Sequence, residues 1–167
     1  MQGVVRSYDD TLVLKDKQME ALMFLVDHKK DLIVNLPVGF GKSVIFHVLP
    51  QVLGEGVDKP VVLVISPLNV IKRDQRVALN RHNISCCRLD INANVDECDH
   101  GDKDEIREQY ACKPDADIDR ITRGDFSVVL CHPEALLNTK KGMEILNSEL
   151  QQHAVAVVID ECHILEE

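Results

Sequence analysis

The sequence predicts an α/β fold in which a parallel sheet carries helices on both faces. Three observations lead there. Four short runs, DLIVNL (31–36), PVVLVIS (60–66), FSVVLC (126–131) and AVAVVID (154–160), are nearly unbroken in apolar residues and rich in valine and isoleucine. That is the composition of strands buried on both faces of a parallel sheet. Helical stretches lie between the runs, so strand and helix alternate along the chain. Such alternation selects a doubly wound sheet, whose ligands bind outside the carboxyl ends of the strands.

Taken in order, the first helix is KQMEALMFLVDH, with Met19, Leu22, Met23 and Val26 on one face. DLIVNL follows as the first strand and leads into a glycine turn and a second helix, KSVIFHVLPQVL. PVVLVIS is the next strand, NVIKRDQRVALN the next helix, and ISCCRLDI (84–91) a weaker strand. Residues 92–124 break the alternation. They are acidic and polar, contain Gly101 and Pro114, and offer only two short helical segments, DKDEIREQY and DIDRITR, so they are expected to form a surface insertion. FSVVLC, a helical stretch PEALLNTKKGMEILNSEL and AVAVVID complete the series.

Composition narrows the function. The 167 residues suit one domain, with 45% hydrophobic and 28% charged residues. Two Tyr, four Phe and no Trp supply no platform on which bases could stack. The net charge is −9, and residues 90–125 hold 12 acidic against 5 basic side chains. A negative total argues against tight nonspecific DNA binding by this chain alone, because phosphates are neutralised by clustered Lys and Arg. No apolar run approaches the ~20 residues that span a bilayer, and MQGVVRSYDD lacks the layout of a signal peptide. We expect no membrane association and a location inside the cell, in the nucleus. The six cysteines form no CxxC pair and are expected to be thiols, and among metal-ligand spacings only Cys98 with His100 is close.

The chemistry concentrates at two places. In the first, DLIVNL runs into Pro37, Val38, Gly39, Phe40 and Gly41, and Lys42 and Ser43 then open an apolar helix. A strand, a glycine turn and a helix N-terminus point backbone N–H groups and the positive end of a helix dipole at an anion. Lys42 would reach the β and γ phosphates of a nucleotide, and the Ser43 hydroxyl would ligate Mg²⁺. The pattern GxxxxGK[ST] is met in a shortened form, PxGxGKS, because Leu36 stands at the first glycine position. An ordinary glycine turn before a core helix is the other reading of this loop alone.

The second place is VAVVIDECH (155–163), where a buried strand ends in adjacent carboxylates. Asp160 suits a magnesium site, usually through water, and Glu161 suits the polarising of an attacking water. Either acid alone is equally a solvated strand end. Both together, following a phosphate loop, are what nucleotide hydrolysis requires.

LPVGFGKS, VISPLNVIKRDQ, VVLCHPEALL and VVIDECH resemble, in that order, the phosphate loop, two nucleic-acid-contacting motifs and the DExH box of superfamily two helicases. The RecQ-like DNA helicases look most similar. The resemblance covers nearly the whole chain apart from the acidic stretch. It implies a RecA-like P-loop domain, incomplete at its C-terminus, as the first of two such domains in an ATP-dependent 3′ to 5′ helicase with ATP and Mg²⁺ as cofactors. It further implies that Gln18 contacts adenine, that Ser66, Pro67, Lys72 and Pro133 lie along single-stranded or forked DNA, and that His163 couples the nucleotide site to the DNA. The helix face with Lys72, Arg73 and Arg76 is equally readable as a solvated basic surface. The second RecA-like domain and its arginine finger, worth ~10³ to 10⁵ in rate, are not in this chain. Two alternatives stay open: a nucleotide- or partner-binding module that does not hydrolyse, and an RNA helicase of the same superfamily.

Overall fold

The computed structural model describes residues 13–67, 69–93 and 110–161. Helix α1 spans Asp16–His28 and α2 spans Lys42–Leu53; strand β1 (Val61–Ile65) then leads to α3 (Asn69–Arg81) and β2 (Cys86–Ala93). After them come β3 (Tyr110–Pro114), α4 (Ile118–Thr122), β4 (Val128–Cys131), three short helices α5 (Pro133–Leu137), α6 (Lys140–Leu146) and α7 (Leu150–His153), and β5 (Ala154–Ile159).

The strands form one sheet in the order β3-β2-β4-β1-β5. β1 is parallel to β4 and β5, and β2 is parallel to β4, while β3 runs antiparallel to β2. The sheet is therefore mixed at one edge where a purely parallel one was expected. Because side chains alternate across a strand, each central strand feeds two cores. Val62, Val64, Val128 and Leu130 join Leu22, Phe46, Val48 and Leu79 on the face covered by α1, α2 and α3. Val61, Leu63, Val129 and Cys131 join Ile121, Leu136, Ile145 and Leu150 on the face covered by α4 to α7. Helices thus cover both faces of an α/β sheet, the RecA-like arrangement.

Three sequence expectations need correction. DLIVNL (31–36) makes no ladder among the described residues. Leu32, Val34 and Leu36 pack against the first core, but Ile33 is 91% exposed. Its apolar run thus serves one packed side and not two.

The stretch 92–124, expected as a surface insertion, holds regular structure where it is described. Residues 94–109 lie outside the described residues, and most of DKDEIREQY with them. Residues 110–124, however, contain β3 and α4, and bury Cys112 and Ile121 in the second core. So few apolar residues among so many charges give no readable period.

The stretch PEALLNTKKGMEILNSEL is not one helix but two, α5 and α6, and ends on the first residue of α7. Thr139 breaks it: its hydroxyl donates to the Ala135 carbonyl at 2.8 Å and accepts from Gly142 N–H at 2.9 Å, which caps α6. Gly142 allows the crossing, since a Cβ there would sit 2.1 Å from the Ala135 carbonyl oxygen.

Candidate nucleotide site

The loop between Pro37 and Ser43 is shaped by two glycines with positive φ, Gly39 (78°) and Gly41 (93°). Gly41 is the N-cap of α2, with no side-chain cap and no acidic residue in the first turn. No acidic side chain of the helix's own first turn therefore competes for its N-terminal end. Val38 at the tip is 98% exposed. Within the loop, Phe40 N–H donates to the Pro37 carbonyl at 3.2 Å and Val44 N–H to the Gly41 carbonyl at 3.1 Å.

Gln18, on the first turn of α1, holds the loop from behind. It is buried, and its Nε2 donates to the carbonyls of Phe40 (3.2 Å) and Gly41 (3.0 Å) while Oε1 accepts from Lys15 N–H (2.8 Å). A bidentate contact between this amide and adenine requires exchange of those bonds. Lys15 helps, donating from Nζ to the Phe40 carbonyl at 3.0 Å and lying 4.5 Å from the centre of the Phe40 ring.

The acidic strand end comes from the far end of the sequence. β5 pairs with β1 in parallel, Ile159 opposite Ile65, so both chains leave the sheet side by side. Asp160 N–H donates to the Ile65 carbonyl at 2.9 Å, and Ser66 N–H to the Cys131 carbonyl at 3.0 Å. Three strand ends are tied together in this way. Burial pushes the Asp160 carboxyl above the ordinary carboxylate range, and neighbouring Glu161 adds to the push. A hydrogen bond from Gln75, the Glu161 backbone N–H and the Lys42 ammonium act in the opposite direction. Lys42 is thus within electrostatic reach of Asp160, as the weakest of these influences, and α2 packs against β5. Glu161 sits at φ 56°, a left-handed backbone that few non-glycine residues adopt.

The structure brings together Gln18, the loop, Lys42 and Asp160, with Glu161 adjacent. Of the residues expected along nucleic acid, Ser66 follows β1 directly but is 1% exposed, so its hydroxyl faces inward. Pro133 opens α5, where His132 pairs with Glu134. Arg76 is committed to an ion pair with Asp115, a partner that also accepts from Arg88 N–H at 2.6 Å. The side chain of Lys72, and all of His163, lie outside the described residues. Cys86, Cys87, Cys112 and Cys131 are buried thiols, and burial raises the pKa of the first three. Gln75 was missed by the sequence reading. It donates from Nε2 to Asp160 Oδ2 at 3.2 Å, and a glutamine on a helix carries no signal of such a contact before the fold is known.

These residues fit a magnesium nucleotide. Buried Gln75 Oε1 and Ser66 Oγ meet no hydrogen-bond partner among the described residues, and Mg²⁺ retains several waters that would supply donors. Ser43 and Asp160 have the oxygen chemistry that cation prefers; Lys42 and the loop N–H groups suit phosphate oxygens. When bound, the metal supplies charge neutralisation on those oxygens.

Fold and site together define a phosphate-loop domain of RecA-like architecture. The chain matches the DEAD/DEAH box helicase family over residues 15–167 and belongs to that family. It is similar to the ATP-dependent DNA helicase Q-like SIM of Arabidopsis thaliana, 29% identical over 164 residues, which make up 98% of this chain and 16% of that protein. It is also similar to the ATP-dependent DNA helicase RecQ of Synechocystis, 45% identical over 61 residues, 36% of this chain and 12% of that one. The chain therefore spans a small part of the length of these relatives. Among the described residues no helix is long and apolar enough to cross a membrane.

Proposed function

We propose that this chain is the nucleotide-binding part of an ATP-dependent DNA helicase of RecQ type, which unwinds 3′ to 5′ in the nucleus once joined to a second RecA-like domain. Lys42 and the N–H groups of residues 37–43 hold the β and γ phosphates. Ser43 and Asp160 hold Mg²⁺, and Glu161 orients the attacking water. Ser66, Pro67, Lys72 and Pro133 lie on the side of single-stranded or forked DNA, and His163 relays between the two sites. The glycine loop that opens α2 at Lys42, on a helix packed against the strand that ends in Asp160, carries the nucleotide part of this reading. Similarity along 98% of the chain to a RecQ-like protein supports the choice of DNA.

The test uses the full-length protein and four substrates: DNA and RNA duplexes, each with a 3′ or a 5′ single-stranded tail. ATP-dependent unwinding confined to the 3′-tailed DNA is the expected result. Unwinding of the RNA duplexes alone would reassign it as an RNA helicase. Nucleotide binding with no hydrolysis under any condition would leave a binding module.

A further inference from the structure

We infer that Gln75 is a positioning residue, which aims the Asp160 carboxylate at magnesium and ties that carboxylate to α3. The inference rests on Asp160 being the metal-binding acid.

Gln75 is 6% exposed, and its Nε2 donates to Asp160 Oδ2 at 3.2 Å. A carboxylate that binds a cation through water has to present its oxygens in a fixed direction, and one hydrogen bond from a buried side chain does that. The donor here is a neutral amide. Lysine or arginine in its place would orient the carboxylate equally well but would offset the negative charge that attracts the metal.

Donation through Nε2 also settles which way the amide faces. Oε1 is left buried, with no hydrogen-bond partner among the described residues. A buried acceptor without a donor costs about 1–3 kcal/mol, which a metal-bound water beside Asp160 would relieve. Two neighbours keep the helix in place: Arg76 pairs with Asp115, and Leu79 is fully buried in the first core. The amide therefore reaches Asp160 from a fixed platform. Since α3 begins just after Ser66 and Pro67, the segment proposed to face DNA and the acid proposed to face the metal are joined by one side chain.

The test is a magnesium titration of the full-length protein with a fluorescent, non-hydrolysable ATP analogue. Wild type is compared with Gln75→Leu, Gln75→Ala, Asp160→Asn and the double variant Gln75→Leu/Asp160→Asn. Leucine keeps most of the buried volume, so a folded variant remains even where alanine leaves a damaging cavity. Loss of a hydrogen bond to a charged group predicts a half-saturating Mg²⁺ concentration raised about tenfold. Analogue affinity in EDTA stays within about twofold, because the phosphate loop is untouched. In the Asp160→Asn background the further change to leucine has no added effect, which a merely structural glutamine would not show. Unchanged magnesium dependence in Gln75→Leu, beside a loss in Asp160→Asn, overturns the inference and leaves the nucleotide site standing. An effect of Gln75→Leu that adds fully to that of Asp160→Asn also overturns it. Wild-type magnesium dependence in Asp160→Asn removes the metal assignment itself.

Discussion

Gln18 donates two hydrogen bonds to the backbone of the phosphate loop, and its Nε2 would lie 2.8 Å from a Cβ placed on Gly41. The two residues define each other: the amide fits because the glycine has no side chain, and the glycine keeps its φ of 93° with the amide bracing its carbonyl. Gly41→Ala must therefore displace Gln18 and adopt a left-handed backbone, which alone costs about 1–2 kcal/mol. Nucleotide affinity is expected to fall at least about tenfold. Gln18→Ala is expected to weaken ATP and GTP together, since the bonds it removes support the loop and not a base. Titrations of both variants with the two nucleotides check this, and a loss confined to ATP would show that the amide turns to adenine.

Lys42 and Glu161 separate binding from turnover. Lys42→Ala removes the ammonium proposed to hold the phosphates, and nucleotide binding is expected to vanish. Glu161→Gln keeps the shape and removes the charge proposed to polarise water. Binding is expected to persist while hydrolysis falls by about 10²-fold or more. Equal affinity in wild type and Lys42→Ala would dismiss the phosphate-loop assignment.

His47 gives the fold a pH dependence. Burial on α2, with His82 nearby, lowers its pKa to about 4, whereas the unfolded chain titrates near ~6.5. Between those values the unfolded state takes a proton that the folded state refuses. The contribution is thus fully present above pH ~6.5 and is lost as pH falls towards 4, by at most about 1.4 kcal/mol per unit. Urea unfolding at pH 7 and pH 5 is expected to show the loss, and His47→Leu to flatten that part of the profile.

Thr139 predicts a structural cost. Its hydroxyl is buried and bridges Ala135 and Gly142. Thr139→Val keeps the shape but strands both backbone groups, with an expected loss of about 1–3 kcal/mol. A thermal melt within 1 °C of wild type would show that α5 and α6 do not depend on this bridge.

Motifs with a fixed chemistry were legible in the sequence, and the contacts that align them were not. The glycine turn before α2 and the strand that runs into Asp160 could be placed because their residue types and order mark the start of a helix and the end of a strand. β1, β4 and β5 could be read from their apolar runs, and α2 begins and ends where its pattern does. DLIVNL misled because the same run serves a segment packed on one side. β3 escaped notice because an antiparallel edge strand with one buried cysteine has little pattern to display. Gln75 and Lys15 were invisible for a different reason. Their partners, Asp160 and Phe40, are distant in sequence, and only the closed sheet and packed helices bring them within reach.

β5 carries one more consequence. Its Val157 and Ile159 align with Leu63 and Ile65 on the side of the second core, yet they are 59% and 54% exposed. The helical blanket ends one strand short. The strand that runs into Asp160 is thus also an exposed apolar margin of the described sheet, and its greasy flank ties solubility to the geometry of the proposed nucleotide site. Replacing Val157 or Ile159 by charged residues to tame clumping would work directly beneath Asp160, so handling this domain and preserving its chemistry are one engineering problem.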